Sequence, residues 1–166
     1  RNINEKYILF MGVFSERKNI GLLLNSFSIL TKIMDDIVLK FVGNANGFLK
    51  YYQNMCKELK IEDNVQFVGE VENNYLFFAN ALVTVLPSKE EGFGMVLAES
   101  LACGTPVVAT KCGGTQEIID HGNNGFLVDD NAKELADAIM EILKNKKLRN
   151  KMSKHGRSMI EKKFSI

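Results

Sequence analysis

The chain has 166 residues, of which 46% are hydrophobic and 25% are charged, a composition typical of a folded globular domain. Its 21 Lys and Arg residues nearly balance its 20 Asp and Glu residues, and the net charge of +1 argues against a nucleic-acid-binding surface. The three cysteines form no C-x-x-C pair, which argues against a metal site and favours reduced thiols in a cytoplasmic protein. No apolar run is long enough to predict a membrane span.

Six short apolar runs are predicted to be strands. Their apolar residues are continuous rather than alternating, which is typical of strands that are covered on both faces in a parallel sheet. The runs are residues 6–13, 37–43, 65–69, 81–87, 106–110 and 125–128.

Amphipathic stretches separate these runs and follow the last one. The first has apolar residues at three- and four-residue spacing from Ile20 to Leu30, which predicts a helix. The alternation of strand and helix predicts one doubly wound, three-layer α/β domain over residues 1–166, with a mostly parallel six-stranded sheet. The predicted helices are residues 19–33, 49–59, 94–104, 132–145 and 147–164.

Glycines follow several of the predicted strands. Gly12, Gly43 and Gly69 each end a run, and Gly113 and Gly114 follow the fifth. In a doubly wound sheet the ligand crevice lies outside the carboxyl ends of the strands, where a backbone without Cβ can approach the ligand. The glycines therefore predict a binding site at one edge of the sheet, with Gly12 close to the ligand.

The segment from Leu86 to Thr110 carries the most specific pattern. A loop after the fourth strand is predicted to lead into a helix that begins near Phe93 and stops at Gly104. Glu91 and Glu99 are eight positions apart, so both are predicted to face the same crevice.

The start of that helix is a predicted anion site. The free N–H groups of Phe93, Gly94, Met95 and Val96 are expected to point outward at the positive end of the helix dipole, which suits a diphosphate. Gly92, like Gly94, leaves room for the ligand. Cations come from the first loop, where Lys18 and Arg17 precede the first helix and are predicted to contact the diphosphate.

The string "EGFGMVLAE", followed by "GTPVVA", resembles the signature of family 4 retaining glycosyltransferases of the GT-B type. The resemblance runs the length of the chain and implies the Rossmann-like C-terminal, donor-binding half of such an enzyme. It implies metal-independent transfer of a hexosyl unit, with retention, from a UDP-, GDP- or ADP-sugar to a glycan or glycolipid. No cofactor is implied besides this substrate.

The resemblance also implies a role for each residue of the pattern. Glu91 is expected to bind the transferred sugar together with the amides of residues 93–94. The amides of residues 95–96 are expected to bind the diphosphate, and Glu99 the ribose. The backbone of Val71 is expected to contact the base. Many family members have Arg after the first glycine, where this chain has Val13; "ERKN" at residues 16–19 resembles a variant that uses the neighbouring basic pair.

The same resemblance implies that an N-terminal acceptor-binding domain lies outside this chain and that the chain alone transfers nothing. For the full-length protein, peripheral membrane association is an alternative to a fully cytoplasmic location. Two other functions stay open: a nucleotide-sugar epimerase of the same architecture and a non-catalytic nucleotide-sugar-binding subunit. A dinucleotide-dependent oxidoreductase is set aside, because the first loop lacks G-x-G-x-x-G.

Overall fold

The computed structural model describes residues 5–164, and its centre is a six-stranded sheet with the strand order β3-β2-β1-β4-β5-β6. Every pair of neighbouring strands is parallel, so the predicted mostly parallel sheet is wholly parallel here. This strand order is that of a doubly wound Rossmann-like domain and confirms the predicted fold class. The strands are β1 (Tyr7–Met11), β2 (Val38–Val42), β3 (Val65–Gly69), β4 (Val83–Leu86), β5 (Val107–Thr110) and β6 (Gly125–Val128).

Helices connect the strands and end the domain. All five predicted helices are present, but two short helices and two 3-10 turns were not predicted. The 3-10 turns are Glu16–Lys18 and Glu62–Asn64. The helices are α1 (Ile20–Thr31), α2 (Leu49–Glu58), α3 (Tyr75–Asn80), α4 (Met95–Ala102), α5 (Thr115–Ile118), α6 (Ala132–Lys144) and α7 (Lys146–Phe164).

The strands β1, β4 and β5 are buried on both faces, as the continuous apolar runs predicted. The prediction is wrong for the edge strand β3, where Gln66 and Val68 leave one face exposed. In β1, Ile8 and Phe10 are fully buried in a cluster that includes side chains of α1, α2 and α6. Leu9 and Met11 point to the opposite face and pack in a second cluster with residues of α3 and α4. Successive side chains of β1 therefore pack in two cores, one on each face of the sheet, and helices cover both of these faces. The carboxyl ends of the strands are left for a binding site.

The last helix closes the domain over α4. Its buried residues are Met152, Gly156 and Ile160, which follow one another at four-residue spacing. A Cβ on Gly156 would lie 2.7 Å from Leu101 Cδ2, so the two helices meet closely at this point. None of the helices within residues 5–164, α7 included, is both long and apolar enough to cross a bilayer.

Candidate functional site at the carboxyl edge of the sheet

The glycines at the carboxyl ends of the first three strands lie side by side. The edge of the sheet at which the strands end is called the rim below. The Gly12 N–H donates to Val42 O at 2.9 Å, and the Gly43 N–H donates to Gly69 O at 2.8 Å. Gly43 has φ +134°, and a Cβ there would lie 2.1 Å from Gly12 O. Only glycine fits this contact, so the predicted row of glycines forms one continuous backbone surface.

The segment after β4, residues 88–94, is called the motif loop below. It rests on the two glycines that follow β5. The Gly114 N–H donates to Glu91 O at 3.0 Å. A Cβ on Gly113 would lie 2.4 Å from Glu91 O, and a Cβ on Gly114 would lie 2.1 Å from Gly92 O. The backbone of the loop therefore needs glycine at both positions. This explains the glycine pair, whose members follow Glu91 by 22 and 23 residues in the sequence.

Side chains from β5 and the turn after it fasten the beginning of the motif loop. Ser88 O accepts a hydrogen bond from Thr110 Oγ1 and another from Cys112 Sγ at 3.3 Å. Thr115 Oγ1 in turn donates to Thr110 O at 2.6 Å. Ser88 is only 1% exposed, and its hydroxyl has no hydrogen-bond partner among residues 5–164. The loop is therefore held by its backbone carbonyl, which makes its position depend on Thr110.

Helix α4 begins at Met95, just after its predicted start at residues 93–94, because Gly94 adopts a left-handed conformation with φ 63°. The Gly94 carbonyl accepts the N–H groups of Leu97 at 2.9 Å and Ala98 at 3.3 Å. Within the described residues, no partner accepts the N–H groups of residues 93–96. The structure thus presents these four amides at the positive end of an eight-residue helix.

Lys18 reaches across the rim to Glu91. Its Nζ donates to Glu91 Oε2 at 3.1 Å and to Oε1 at 3.3 Å, and each side chain is only 12% exposed. The Cε of Lys18 lies 4.0 Å from the position of a Cβ on Gly12, so the lysine side chain passes directly over the first glycine. The sequence predicted both charged groups near the donor; the structure brings them into contact across 73 residues.

The other residues of the first loop differ in exposure. Arg17 is exposed, and its carbonyl accepts the N–H of Lys89 in the motif loop at 2.8 Å. Val13 is 54% exposed at the rim, whereas the next residue, Phe14, is buried among the rings of the first core. The backbone of Arg17 is therefore joined to the motif loop, whereas its exposed guanidinium makes no hydrogen bond or ion pair within residues 5–164.

Glu99 lies in the middle of α4, eight residues after Glu91. Its side chain is exposed and makes no hydrogen bond or ion pair within residues 5–164. Val96 and Cys103, three residues before and four after it, pack against the second core, as does Val71 after β3. Glu99 and Val71 are thus on the β1–β3 side of α4, and the structure does not join Glu99 to Glu91 directly.

Asn19 is a rim residue that the sequence did not single out. It has φ 56°, and its Nδ2 donates to Pro87 O at 3.1 Å and to Asp130 Oδ1 at 3.2 Å. Asparagine tolerates left-handed backbone better than most residues, which is the only local signal for this position. Its partners lie 68 and 111 residues away, so they could not be read from the sequence.

The described residues also line a cavity away from the Lys18–Glu91 pair. A cavity of about 540 Å³ lies between α2 and β3, lined by residues that include Lys50, Cys56 and Phe67. It contains none of the charged groups of the rim. Among the described residues, no three His, Cys, Asp or Glu side chains are grouped as metal ligands.

Comparison with known proteins identifies the family. The family described as Glycosyl transferases group 1 matches residues 1–159. The N-acetyl-alpha-D-glucosaminyl L-malate synthase of Bacillus anthracis is 32% identical over 163 residues, which are 97% of this chain and 42% of that protein.

Solved structures agree with this match. Sucrose-phosphate synthase from Thermosynechococcus elongatus has a TM-score of 0.89 and 30% identity, with 98% of this chain and 42% of that chain covered. Anabaena HepE in complex with UDP-glucose has a TM-score of 0.90 and 25% identity, with 97% and 45% covered. This chain spans less than half the length of each of these proteins. The family match and the relatives show that the chain belongs to the glycosyl transferases group 1 family, and it has the Rossmann-like fold, covering about half of the length of its GT-B relatives.

Proposed function

We propose that this chain is the donor-binding part of a retaining, metal-independent glycosyltransferase that uses a UDP-, GDP- or ADP-sugar. The observation that carries the proposal is the Lys18–Glu91 ion pair at 3.1 Å. Glu91 precedes Gly94, the N-cap of α4, by three residues, so it is close in sequence to the amides at the start of that helix. A cation, a carboxylate and a cluster of N–H donors are the groups that a sugar diphosphate requires.

The diphosphate would bind at the start of α4. The amides of Met95 and Val96 donate to its oxygens, and Lys18 and Arg17 supply positive charge from the first loop. The amides and Lys18 are fixed by the fold before the reaction, so they stabilise the charge that develops on the departing diphosphate without reorganisation. Removing a donor of this kind typically costs about 3–4 kcal/mol of transition-state stabilisation.

The rest of the donor would extend on both sides of the diphosphate. Glu91 and the amides of residues 93–94 bind hydroxyls of the transferred sugar, while Glu99 accepts the ribose hydroxyls and the Val71 backbone contacts the base. Gly12 and Gly92 leave space for this approach. The UDP-glucose complex of Anabaena HepE supports a nucleotide-sugar ligand for this fold.

The proposed reaction is front-side displacement. The bond between the anomeric carbon and the β-phosphate oxygen breaks, the acceptor oxygen bonds to the anomeric carbon on the same face, and the diphosphate leaving group takes the acceptor's proton. The protein contributes positive charge and N–H donors to the leaving group, which lowers the barrier only because they bind it more tightly as it departs.

The acceptor would be bound by a second, N-terminal domain outside this chain. The Bacillus anthracis and Thermosynechococcus proteins are each more than twice as long as the region they share with this chain, which supports a two-domain enzyme. We therefore expect the chain alone to bind a nucleotide sugar and to transfer nothing. A glycan or glycolipid acceptor and a cytoplasmic or membrane-peripheral location belong to the same proposal.

Calorimetric titration of the chain with UDP, GDP and ADP, and with their glucose conjugates, tests the proposal. We expect one of the diphosphates to bind and Lys18→Met to weaken it at least about tenfold, since the loss of a charge-assisted hydrogen bond is worth about 1.5–3 kcal/mol. Lys133→Met is the matched control, because Lys133 pairs with Asp137 on the exposed face of α6. Absence of binding to every diphosphate would refute the donor site.

A further inference from the structure

We infer that Asn19 is a positioning residue that holds Lys18 in place for the donor diphosphate. The effect on donor binding rests on the proposed function, whereas the positioning of Lys18 by Asn19 does not depend on any ligand. Asn19 itself is not assigned a ligand contact.

Three consecutive residues of the first loop make three separate links to the region after β4. The Arg17 carbonyl accepts the Lys89 N–H at 2.8 Å, Lys18 Nζ donates to Glu91, and Asn19 Nδ2 donates to Pro87 O at 3.1 Å. The two segments are therefore joined at three successive points. Of the three links, the first uses only backbone atoms and the second is the functional pair itself, so the Asn19 side chain is the only separate side-chain link among these three.

Asn19 also sets the backbone at the point where the lysine side chain departs. It ends the 3-10 turn that contains Lys18, with its N–H donating to Glu16 O at 3.1 Å, and its own carbonyl accepts the Leu22 N–H at 3.1 Å to begin α1. Its left-handed φ of 56° reverses the chain between these two elements. A non-glycine residue in this conformation is uncommon, and here its side chain has a task that glycine could not perform.

A second acceptor extends the link to a third loop. Asp130 Oδ1, in the connection from β6 to α6, accepts from the same Nδ2 at 3.2 Å. The Asn19 amide thus joins the loops after β1, β4 and β6. These hydrogen bonds hold the turn that carries Lys18 against the region after β4 and against the connection from β6 to α6.

The first test needs no ligand. The coupling free energy between Lys18 and Glu91 is measured by urea denaturation with Lys18→Met, Glu91→Gln and the double variant, first in the parent chain and then with Asn19→Gly added to each. Glycine keeps the left-handed backbone and removes both side-chain hydrogen bonds. We expect Asn19→Gly to abolish at least half of the coupling. Coupling that persists unchanged would overturn the inference, whatever the ligand of the site.

The second test uses the nucleotide diphosphate that binds the parent chain. Asn19→Gly should weaken binding roughly fivefold to tenfold, as expected for the loss of about one net hydrogen bond. In the Lys18→Met background the same change should have no further effect, because the asparagine acts through the lysine. Equal weakening in both backgrounds would show an effect on the fold instead and would contradict the assignment.

Lys60→Gly is the matched control for both tests. Lys60 also has a left-handed conformation, with φ 60°, and lies after α2, away from the rim. Its replacement should leave both the Lys18–Glu91 coupling and the nucleotide affinity unchanged. If no nucleotide diphosphate binds the parent chain, the proposed function fails, while the coupling measurement still decides the role of Asn19.

Discussion

The two halves of the rim are held in different ways. At the ends of β1–β3 the glycines contact one another through backbone atoms, with Gly43 packed directly on the Gly12 carbonyl. At the ends of β4 and β5, side chains such as Thr110 and Cys112 bind the motif loop through Ser88 O. The first half gains close approach because side chains are absent, whereas the second half gains a fixed position for Glu91 and the amides of α4. The β1–β3 half is therefore most sensitive to added atoms, and the β4–β5 half is sensitive to lost hydrogen bonds as well.

Gly43→Ala should have the largest effect on stability. The new Cβ would lie 2.1 Å from the Gly12 carbonyl at a φ of +134°, so both a clash and backbone strain arise, and we expect a loss of about 3–4 kcal/mol in the free energy of unfolding. Gly69→Ala is the control, because its φ is +85° but no atom lies within 4 Å; about 1 kcal/mol is expected there. Urea denaturation measures both, and equal losses would remove the backbone contact as the cause.

Gly114→Ala tests the glycine support in the second half. Its Cβ would lie 2.1 Å from Gly92 O without a left-handed φ, and the motif loop can partly move away, so a loss of about 2–3 kcal/mol is expected. Nucleotide binding should fall with it, because the loop carries Glu91. For Gly92→Ala, where no atom lies within 4 Å, the stability change should stay below about 0.5 kcal/mol. A stable Gly114→Ala variant would show that the loop does not depend on this contact.

Thr110→Val examines the side-chain fastening of the second half. The substitution keeps the shape and removes the hydroxyl that donates to Ser88 O, and we expect a loss of about 1 kcal/mol together with weaker nucleotide binding. Asn46→Gly is the counterpart in the first half, since the exposed Asn46 has a φ of 52° and donates to Phe14 O at 3.3 Å. Its effect should stay within about 0.5 kcal/mol. If the two variants were equally destabilised, the halves would not differ in this respect.

The smallest expected effect is a difference in the rate of thiol labelling between Cys56 and Cys112. Cys56, in α2 at the cavity between α2 and β3, is 2% exposed, and burial raises the pKa of its thiol to about 11. The thiolate is the reactive form, so Cys56 should be labelled slowly at pH 8 and faster as the pH rises towards 11. Cys112, which is partly exposed beside the motif loop, should react first. Mass spectrometry after timed labelling distinguishes them, and rapid labelling of Cys56 at pH 8 would contradict the burial.

The sheet was largely predictable because each strand falls in a run of mainly apolar residues, with Lys40 in β2 and Gln66 in β3 among the exceptions. The predicted run 65–69 coincides with β3, and run 125–128 coincides with β6. The helices α3 and α5 were missed because six and four residues are too few to show a helical period. Their existence depends on tertiary packing, as for the buried Phe78 in α3.

The candidate site was predictable in its members but less so in its arrangement. The segment that holds Glu91 and the amides of residues 93–96 is local, so helix geometry predicts it from the sequence. The exposed position of Glu99 and the contact of Lys18 with Glu91 depend on how distant strands align. The roles of these residues in donor binding remain predictions for the titrations above to decide.

The parallel pairing of β1 with β4 has a consequence for folding kinetics. Ile8 lies opposite Val83, so closing this pair requires a chain excursion of 75 residues before any hydrogen bond between the strands is gained. Such non-local pairing slows folding relative to helical bundles of similar stability. The binding surface is complete only when these two strands are aligned, and a nucleotide that binds it would stabilise the folded chain relative to the unfolded one.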